Sequence, residues 1–250
     1  MIRFDGQTVV VTGASRGIGQ AIAQAFANAG ARLHLLADDR AILDVALALR
    51  STGHVVDITN DAAVASVFET IGGIDVLINN AGLERLTPLS DTSEDNEANF
   101  RRIIDVNIVG TFLVTRQAIK KMTSGGRVIC TSSAWGRVPE PLFGAYVSSK
   151  HAIVALTKTW AKELGPRGIT ANAVAPGWVR TEASLRSLTS MSQLRRSTET
   201  DLLEQILAGQ AIPGLMDPVD VVGPYLFLAS SLAANITGQT LGVDRGEAPY

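Results

Sequence analysis

Cysteine is almost missing from this chain of 250 residues: Cys130 stands alone, so no internal disulfide can form. Its place in an apolar strand pattern reads as a small buried residue. Neither sign of charge is in excess. With 22 Lys and Arg against 24 Asp and Glu, the formal net charge is −2, which gives no overall basic footprint and argues against a nucleic-acid partner. Long apolar runs are lacking as well. None approaches the roughly 20 residues that cross a bilayer, and residues 1–6 lack the apolar core of a secretory signal. The expectation is a soluble, cytoplasmic protein with no membrane partner. The three histidines, His34, His54 and His151, show no metal-ligand spacing, so no metal site is expected.

What is present points to one α/β domain over residues 1–250. The chain is 46% hydrophobic and 18% charged, enough to bury a substantial core, and no repeat, low-complexity tract or linker divides it. Residues 7–12 form a β-branched run that ends at Gly13; after Gly17 and Gly19 a helical apolar pattern continues through Ile22, Ala23 and Phe26 to Gly30. Glycines in a strand-to-helix turn let the backbone approach a pyrophosphate, which the helix N-terminus favours. A tight turn with no ligand is the plainer reading of glycines alone. Residues 32–37 give a second strand running into Asp38 and Asp39, where a carboxylate can bond ribose hydroxyls, or cap the following helix. His54-Val55-Val56 reads as a third strand, and Asp57 equally as an acceptor for an adenine amine or the start of a turn.

Residues 74–78 are an apolar strand ending in Asn79-Asn80-Ala81-Gly82, and residues 94–122 carry a long helical pattern with Asn107 among its apolar positions. A polar amide there costs stability unless it is bonded; a helix-bending side chain that satisfies a local carbonyl is the plainer role. Residues 127–131 lead out of a strand into Ser132 and Ser133, and residues 168–175 form a sixth strand closing at Pro176-Gly177. Alternating strands and helices predict a doubly wound parallel sheet, a Rossmann fold, with ligands beyond the carboxyl ends of its strands. Gly13, Asp38, Asp57, Asn79 and Ser133 all follow strands, so their segments should converge on one crevice. Residues 178–211 show no clear pattern and read as a lid-like insertion or a pair of surface helices. Residues 218–230 look helical, and Thr240-Leu241-Gly242-Val243 is a last strand.

Tyr146 and Lys150 stand four apart on one helix face. A neighbouring ammonium favours the phenolate, lowering the tyrosine pKa from about 10 toward a usable acid–base range. Such a pair alone is more often a solvated helix face.

Taken together, these residues resemble the short-chain dehydrogenase/reductase family from near residue 1 to Asp244. Thr12-Gly13-Ala14-Ser15-Arg16-Gly17-Ile18-Gly19 looks like its TGxxxGxG loop and Asn79-Asn80-Ala81-Gly82 like its NNAG segment, while Asn107, Ser133, Tyr146 and Lys150 align with its catalytic tetrad. The resemblance implies hydride transfer between NAD(H) and a secondary alcohol or its ketone. Tyr146 would be the general acid–base, Ser133 would hold the reacting oxygen, Lys150 would tune Tyr146 and bond the nicotinamide ribose, and Asn107 would position a water for a proton relay. The implied cofactor contacts are Gly13, Ser15, Arg16, Gly17, Ile18, Gly19, Asp38, Asp57, Ile58, Asn80, Ala81, Gly82, Tyr146, Lys150, Pro176, Gly177, Val179 and Thr181. A homotetramer acting on a small-molecule alcohol or carbonyl substrate is expected from the same source.

Two departures bear on these expectations. The family's glycines after Asp244 are replaced by Arg245-Gly246-Glu247, and the acid of NAD-preferring members usually stands at the place of Ala37. Asp38 and Asp39 nonetheless favour NAD over NADP, against Arg16, which in this family can help hold the extra phosphate. Arg180, Arg186, Arg195 and Arg196 stand near the expected mouth, where they read as attractors of an anionic substrate or as solvated helix faces. Glu84, Trp135, Glu140, Phe143 and Trp178 flank the crevice. A non-catalytic nucleotide-binding regulator is the competing reading, and the complete set of Asn107, Ser133, Tyr146 and Lys150 argues against it.

Overall fold

The computed structural model describes residues 2–249. Seven strands form one parallel sheet in the order β3-β2-β1-β4-β5-β6-β7: β1 (Thr8–Thr12), β2 (Arg32–Ala37), β3 (Thr52–Val55), β4 (Val76–Asn79), β5 (Arg127–Thr131), β6 (Thr170–Pro176) and β7 (Thr240–Val243). The helices are α1 (Gly17–Asn28), α2 (Ala41–Ala48), α3 (Asp61–Thr70), α4 (Glu94–Ile104), α5 (Thr111–Ala118), α6 (Gly144–Leu164), α7 (Glu182–Arg195), α8 (Glu199–Ala208) and α9 (Gly223–Ala229). This is the expected Rossmann architecture. The strand order reverses between β1 and β4, which opens a crevice beyond their carboxyl ends.

Strand periodicity explains why the sheet is covered twice. Val9 and Val11 join one apolar cluster with Phe4, Ile22, Phe26 and Tyr225, whereas Val10 joins the other with Phe68, Met122 and Trp160. Successive side chains of a strand point to opposite faces, so a continuous apolar run such as Val9-Val10-Val11 needs helices on both. A third cluster lies outside the sheet, where Leu188, Met191 and Leu202 pack on Trp135, Phe143 and Trp178.

Several boundaries differ from the sequence expectation for local reasons. The third strand begins two residues and ends one residue earlier than expected, at Thr52–Val55. The helical pattern of 94–122 is broken by a π-helical turn, Asp105–Gly110, that carries Asn107; such turns often mark functional sites. The segment 178–211 is neither patternless nor a loop, because Thr181 and Thr198 cap α7 and α8 at Ser184 N and Asp201 N and both helices bury residues in the third cluster. The pattern of 218–230 splits into a 3-10 turn and α9.

His34 and His54 face each other between β2 and β3, with Nδ1 and Nε2 3.1 Å apart and the rings stacked. Burial first, then Arg32 near His34 and His34 near His54, holds both below the ordinary histidine pKa. Groups lowered in the folded state stabilise it fully above their unfolded value of about 6.5, and that contribution is lost as pH falls through their folded values. Thermal melts should therefore show that His54→Gln flattens the loss of Tm between pH 7 and pH 5; a slope as steep as in the parent protein would show that the pair does not carry it.

Candidate active site

The carboxyl end of β1 sets the site. Gly13 has φ +64°, and a Cβ placed on it would stand 2.7 Å from Ala81 Cα; a Cβ on Gly19 would stand 2.0 Å from Gly13 O. Only glycine fits either position, so the turn lies flat against the end of β4. Asn80 braces it: its Nδ2 donates to Thr12 O and Gly13 O at 3.2 Å each, while Thr12 Oγ1 accepts from the N–H groups of Asn80 and Ala81 at 3.0 Å. The first turn of α1 has no side-chain cap and no acidic residue. Its free N–H groups and positive dipole end suit an anion such as a pyrophosphate, so the cradle fits a dinucleotide.

The acidic residue that meets this turn is Asp39. Its Oδ2 accepts from Ser15 Oγ at 2.8 Å and from Arg16 Nη2 at 2.6 Å, and Arg16 also pairs with Glu182 of α7 at 3.2 Å. Asp38, singled out from the sequence, is exposed instead. The strand ends at Ala37, as expected, and the second residue beyond it, Asp39, reaches back to the loop. Asp57 is engaged by the Thr59 N–H and hydroxyl and by Arg102 at 2.7 Å, and Ile58 is buried against Gly110. Both therefore have structural work, whatever else they contact. Gly17 and Thr181 approach each other, a Cβ on Gly17 standing 3.3 Å from the Thr181 methyl.

A cleft beside this turn is lined by Ser133, Tyr146, Pro176, Gly177, Val179 and Thr181, together with Ile18, Glu84, Trp135, Trp178 and Glu247. Ser133 ends the segment after β5 and Tyr146 begins α6, so strand end and helix start are brought together. The buried Lys150 donates from Nζ to Thr131 O at 2.8 Å and sits 5.5 Å from the centre of the Tyr146 ring. Burial lowers its pKa to about 8, against smaller opposing effects of Cys130 and Glu84. Tyr146 moves the other way from the sequence expectation. Burial first, and then the nearby negative Glu84, hold its phenol well above the ordinary tyrosine value, with only a hydrogen bond from Ser133 working downward. The Lys150 Nζ donates to a backbone carbonyl rather than to the phenol, and burial sets the direction of the shift.

Asn107 is fully committed. Its Oδ1 accepts from Leu83 N at 2.7 Å, and its Nδ2 donates to Leu83 O at 3.0 Å and to Ser149 Oγ at 2.9 Å. Both Asn107 Oδ1 and Lys150 Nζ lie 3.4 Å from where a Cβ on Gly82 would stand. The amide thus clamps the NNAG segment to α6 and holds the lysine's surroundings in place. Arg180 pairs with Asp217 at 3.2 Å and Arg195 with Glu140 at 3.4 Å, so these two already have carboxylate partners. Glu247, which sequence reasoning passed over, reaches the Pro176-Gly177 turn: its Oε2 is 2.9 Å from a Cβ placed on Gly177. The departure after Asp244 was the signal for it.

The family model described as enoyl-(acyl carrier protein) reductase matches residues 13–247. A short-chain dehydrogenase/reductase of Armillaria gallica is 37% identical over 257 residues, covering 96% of this chain and 95% of that protein. Among solved structures, a 3-ketoacyl-(acyl-carrier-protein) reductase from Brucella melitensis complexed with NADH superposes with a TM-score of 0.86 at 26% identity, covering 98% of this chain and 99% of that one. A short chain dehydrogenase from Burkholderia cenocepacia in complex with NADP does so with a TM-score of 0.86 at 28% identity, covering 99% and 100%.

Removing the Asn107 amide leaves Leu83 N–H, Leu83 O and the Ser149 hydroxyl to find new partners, at about 1–3 kcal/mol for each buried group left unpaired. Chemical denaturation of Asn107→Ala should show a loss of that order. A change below about 0.5 kcal/mol would mean that the clamp is not stabilising.

Proposed function

The chain belongs to the short-chain dehydrogenase/reductase family, and on that premise we propose that it oxidises a secondary alcohol, or reduces the matching ketone, with NAD(H) preferred over NADP(H). The observation that carries this reading is the meeting of Ser133 and Tyr146 in one cleft with Lys150 buried beneath. The nicotinamide dinucleotide, when bound, supplies or takes the hydride. The protein's own part is to place and move a proton. Ser133 holds the alcohol or carbonyl oxygen by a hydrogen bond, and Tyr146 exchanges its phenolic proton with that oxygen. Because burial and Glu84 keep that phenol protonated, it enters ketone reduction ready to donate. In the oxidising direction the positive Lys150 favours the phenolate that must form. Asn107 keeps Leu83 and Ser149 fixed around this pair.

Tyr146→Phe keeps the ring and its packing but removes the transferable proton. Turnover should fall by about 10²–10⁴-fold with cofactor affinity unchanged, as read by steady-state kinetics beside a cofactor titration. Retention of more than about a tenth of the activity would remove Tyr146 from the acid–base role. Lys150→Ala should weaken both cofactor binding and rate.

The cofactor preference rests on charge. Asp39 lies on the glycine loop with Asp38 beside it, and Arg16, the residue best placed to offset a 2′-phosphate, is already paired with Asp39 and Glu182. A phosphate arriving there meets carboxylates and must break an ion pair. Relatives solved with NADH and with NADP leave the choice to these local residues. In kcat/KM the wild type should favour NAD by at least about tenfold, equivalent to 1.4 kcal/mol, and both Asp39→Asn and Asp38→Arg should narrow the margin. A wild type that prefers NADP would overturn the argument. Phe100, Val109 and Phe112 are 41–44% exposed along α4, α5 and the π turn between them, which supports self-association through these helices.

A further inference from the structure

Two carboxylates line the substrate cleft, Glu84 on one wall and Glu247 near the Pro176-Gly177 turn, and no lysine or arginine is among the lining residues. Resting on the alcohol oxidoreductase reading above, we propose that the substrate carries an ammonium group near its carbinol, held by Glu84 and Glu247 beside Trp135 and Trp178.

The surroundings explain why a cation is favoured over a neutral or anionic group. Glu247 Oε2 is buried without a hydrogen-bond partner. Asp244 and Glu140 add negative charge around it; their own cations, Arg137 at 3.7 Å and Arg195 at 3.4 Å, are directed at those residues. Burial, with Asp244 and Glu140 after it, raises the Glu247 pKa to about 7, against a smaller opposing hydrogen bond from the Trp178 backbone N–H. Glu84 is raised by burial too, opposed by a hydrogen bond from Ser187 and by the charges of Arg186 and Lys150, and it acts in turn on Tyr146. Burial disfavours the ionised form of both carboxyls, and an arriving cation restores it; a hydroxyl supplies no such charge, and a ligand carboxylate adds to the acidic one. Glu84 already feels Arg186 and Lys150, so the ammonium's larger share of pairing falls to Glu247, whose Oε2 has no hydrogen-bond partner. Trp135 and Trp178, which also line the cleft, stand edge to face with centroids 5.9 Å apart, and Trp135 packs on Phe143 at 4.8 Å and Tyr146 at 6.1 Å, an apolar wall for the carbon skeleton that carries the ammonium.

Three secondary alcohols of the same carbon skeleton separate the possibilities: 1-amino-2-propanol, 1,2-propanediol and lactate. Each is titrated into the protein saturated with NAD, with tryptophan fluorescence reporting binding and NADH formation reporting turnover. The amino alcohol should bind at least tenfold tighter than the diol, with lactate weakest. Glu247→Gln and Glu84→Gln should each remove most of that advantage, and NAD binding by each variant reports that it is folded. Equal affinities for the three compounds, tighter binding of lactate, or an unchanged advantage in both variants would overturn the proposal. NADH formed from any of them supports the oxidoreductase reading whatever the charge preference; a charge preference without turnover would count against that reading and leave the ammonium site standing.

Discussion

The contact on which the rest of the site depends is the approach of two backbones, the turn after β1 and the end of β4. Gly13 and Gly19 leave no room for a side-chain carbon there, and Asn80 ties the turn to its neighbours with two donated hydrogen bonds. Asn80 Oδ1 also accepts from Thr131 Oγ1 at 3.3 Å. One amide therefore joins the ends of β1, β4 and β5, the three strands from which cofactor loop, NNAG segment and Ser133 depart. A loosened turn would move all three at once, because close-packed backbone has no compensating side-chain freedom.

A second constraint is electrostatic. Lys150 is buried with one carbonyl partner, Tyr146 is pushed toward its neutral form, and Glu84 and Glu247 are raised. Each group departs from its ordinary value mainly through burial, so the cleft is tuned by desolvation before it is tuned by pairing. Perturbed groups clustered in one cleft are what a proton-handling site requires. Cys130 is also raised, to about 11, but it is enclosed by the sheet core and bonded by Asn79 at 3.8 Å, which fits a packing role.

The helices α7 and α8 show how a surface segment becomes part of the site. Their inward residues Leu188, Met191 and Leu202 enclose the aromatic cluster of Trp135, Phe143 and Trp178, while Glu182 at the start of α7 reaches the cofactor loop through Arg16. One segment thus contacts both the aromatic side of the cleft and the glycine turn. The arginines expected to draw in an anion instead have carboxylate partners in Arg180 and Arg195, and the cleft is left with acidic lining.

The sequence by itself determined the doubly wound sheet, the glycine turn and the gathering of Ser133 and Tyr146 at one cleft with Lys150 beside them. Those features are local: strand runs such as Val9-Val10-Val11 declare burial on both faces, and glycine and helix spacing are set within a few residues. Only the tertiary structure decided which of two adjacent aspartates meets the loop, since Ser15 and Arg16, the partners that hold Asp39, come from a different strand-to-helix turn. It also decided that Asn107 lies in a π turn and clamps Leu83, that residues 178–211 are two packed helices, and that burial sets the direction of the Tyr146 pKa shift. The positions of Asp39 and Asn107 come from partners 23 or more positions away in the chain, and the Tyr146 shift from desolvation by the whole fold; neither is written in local spacing.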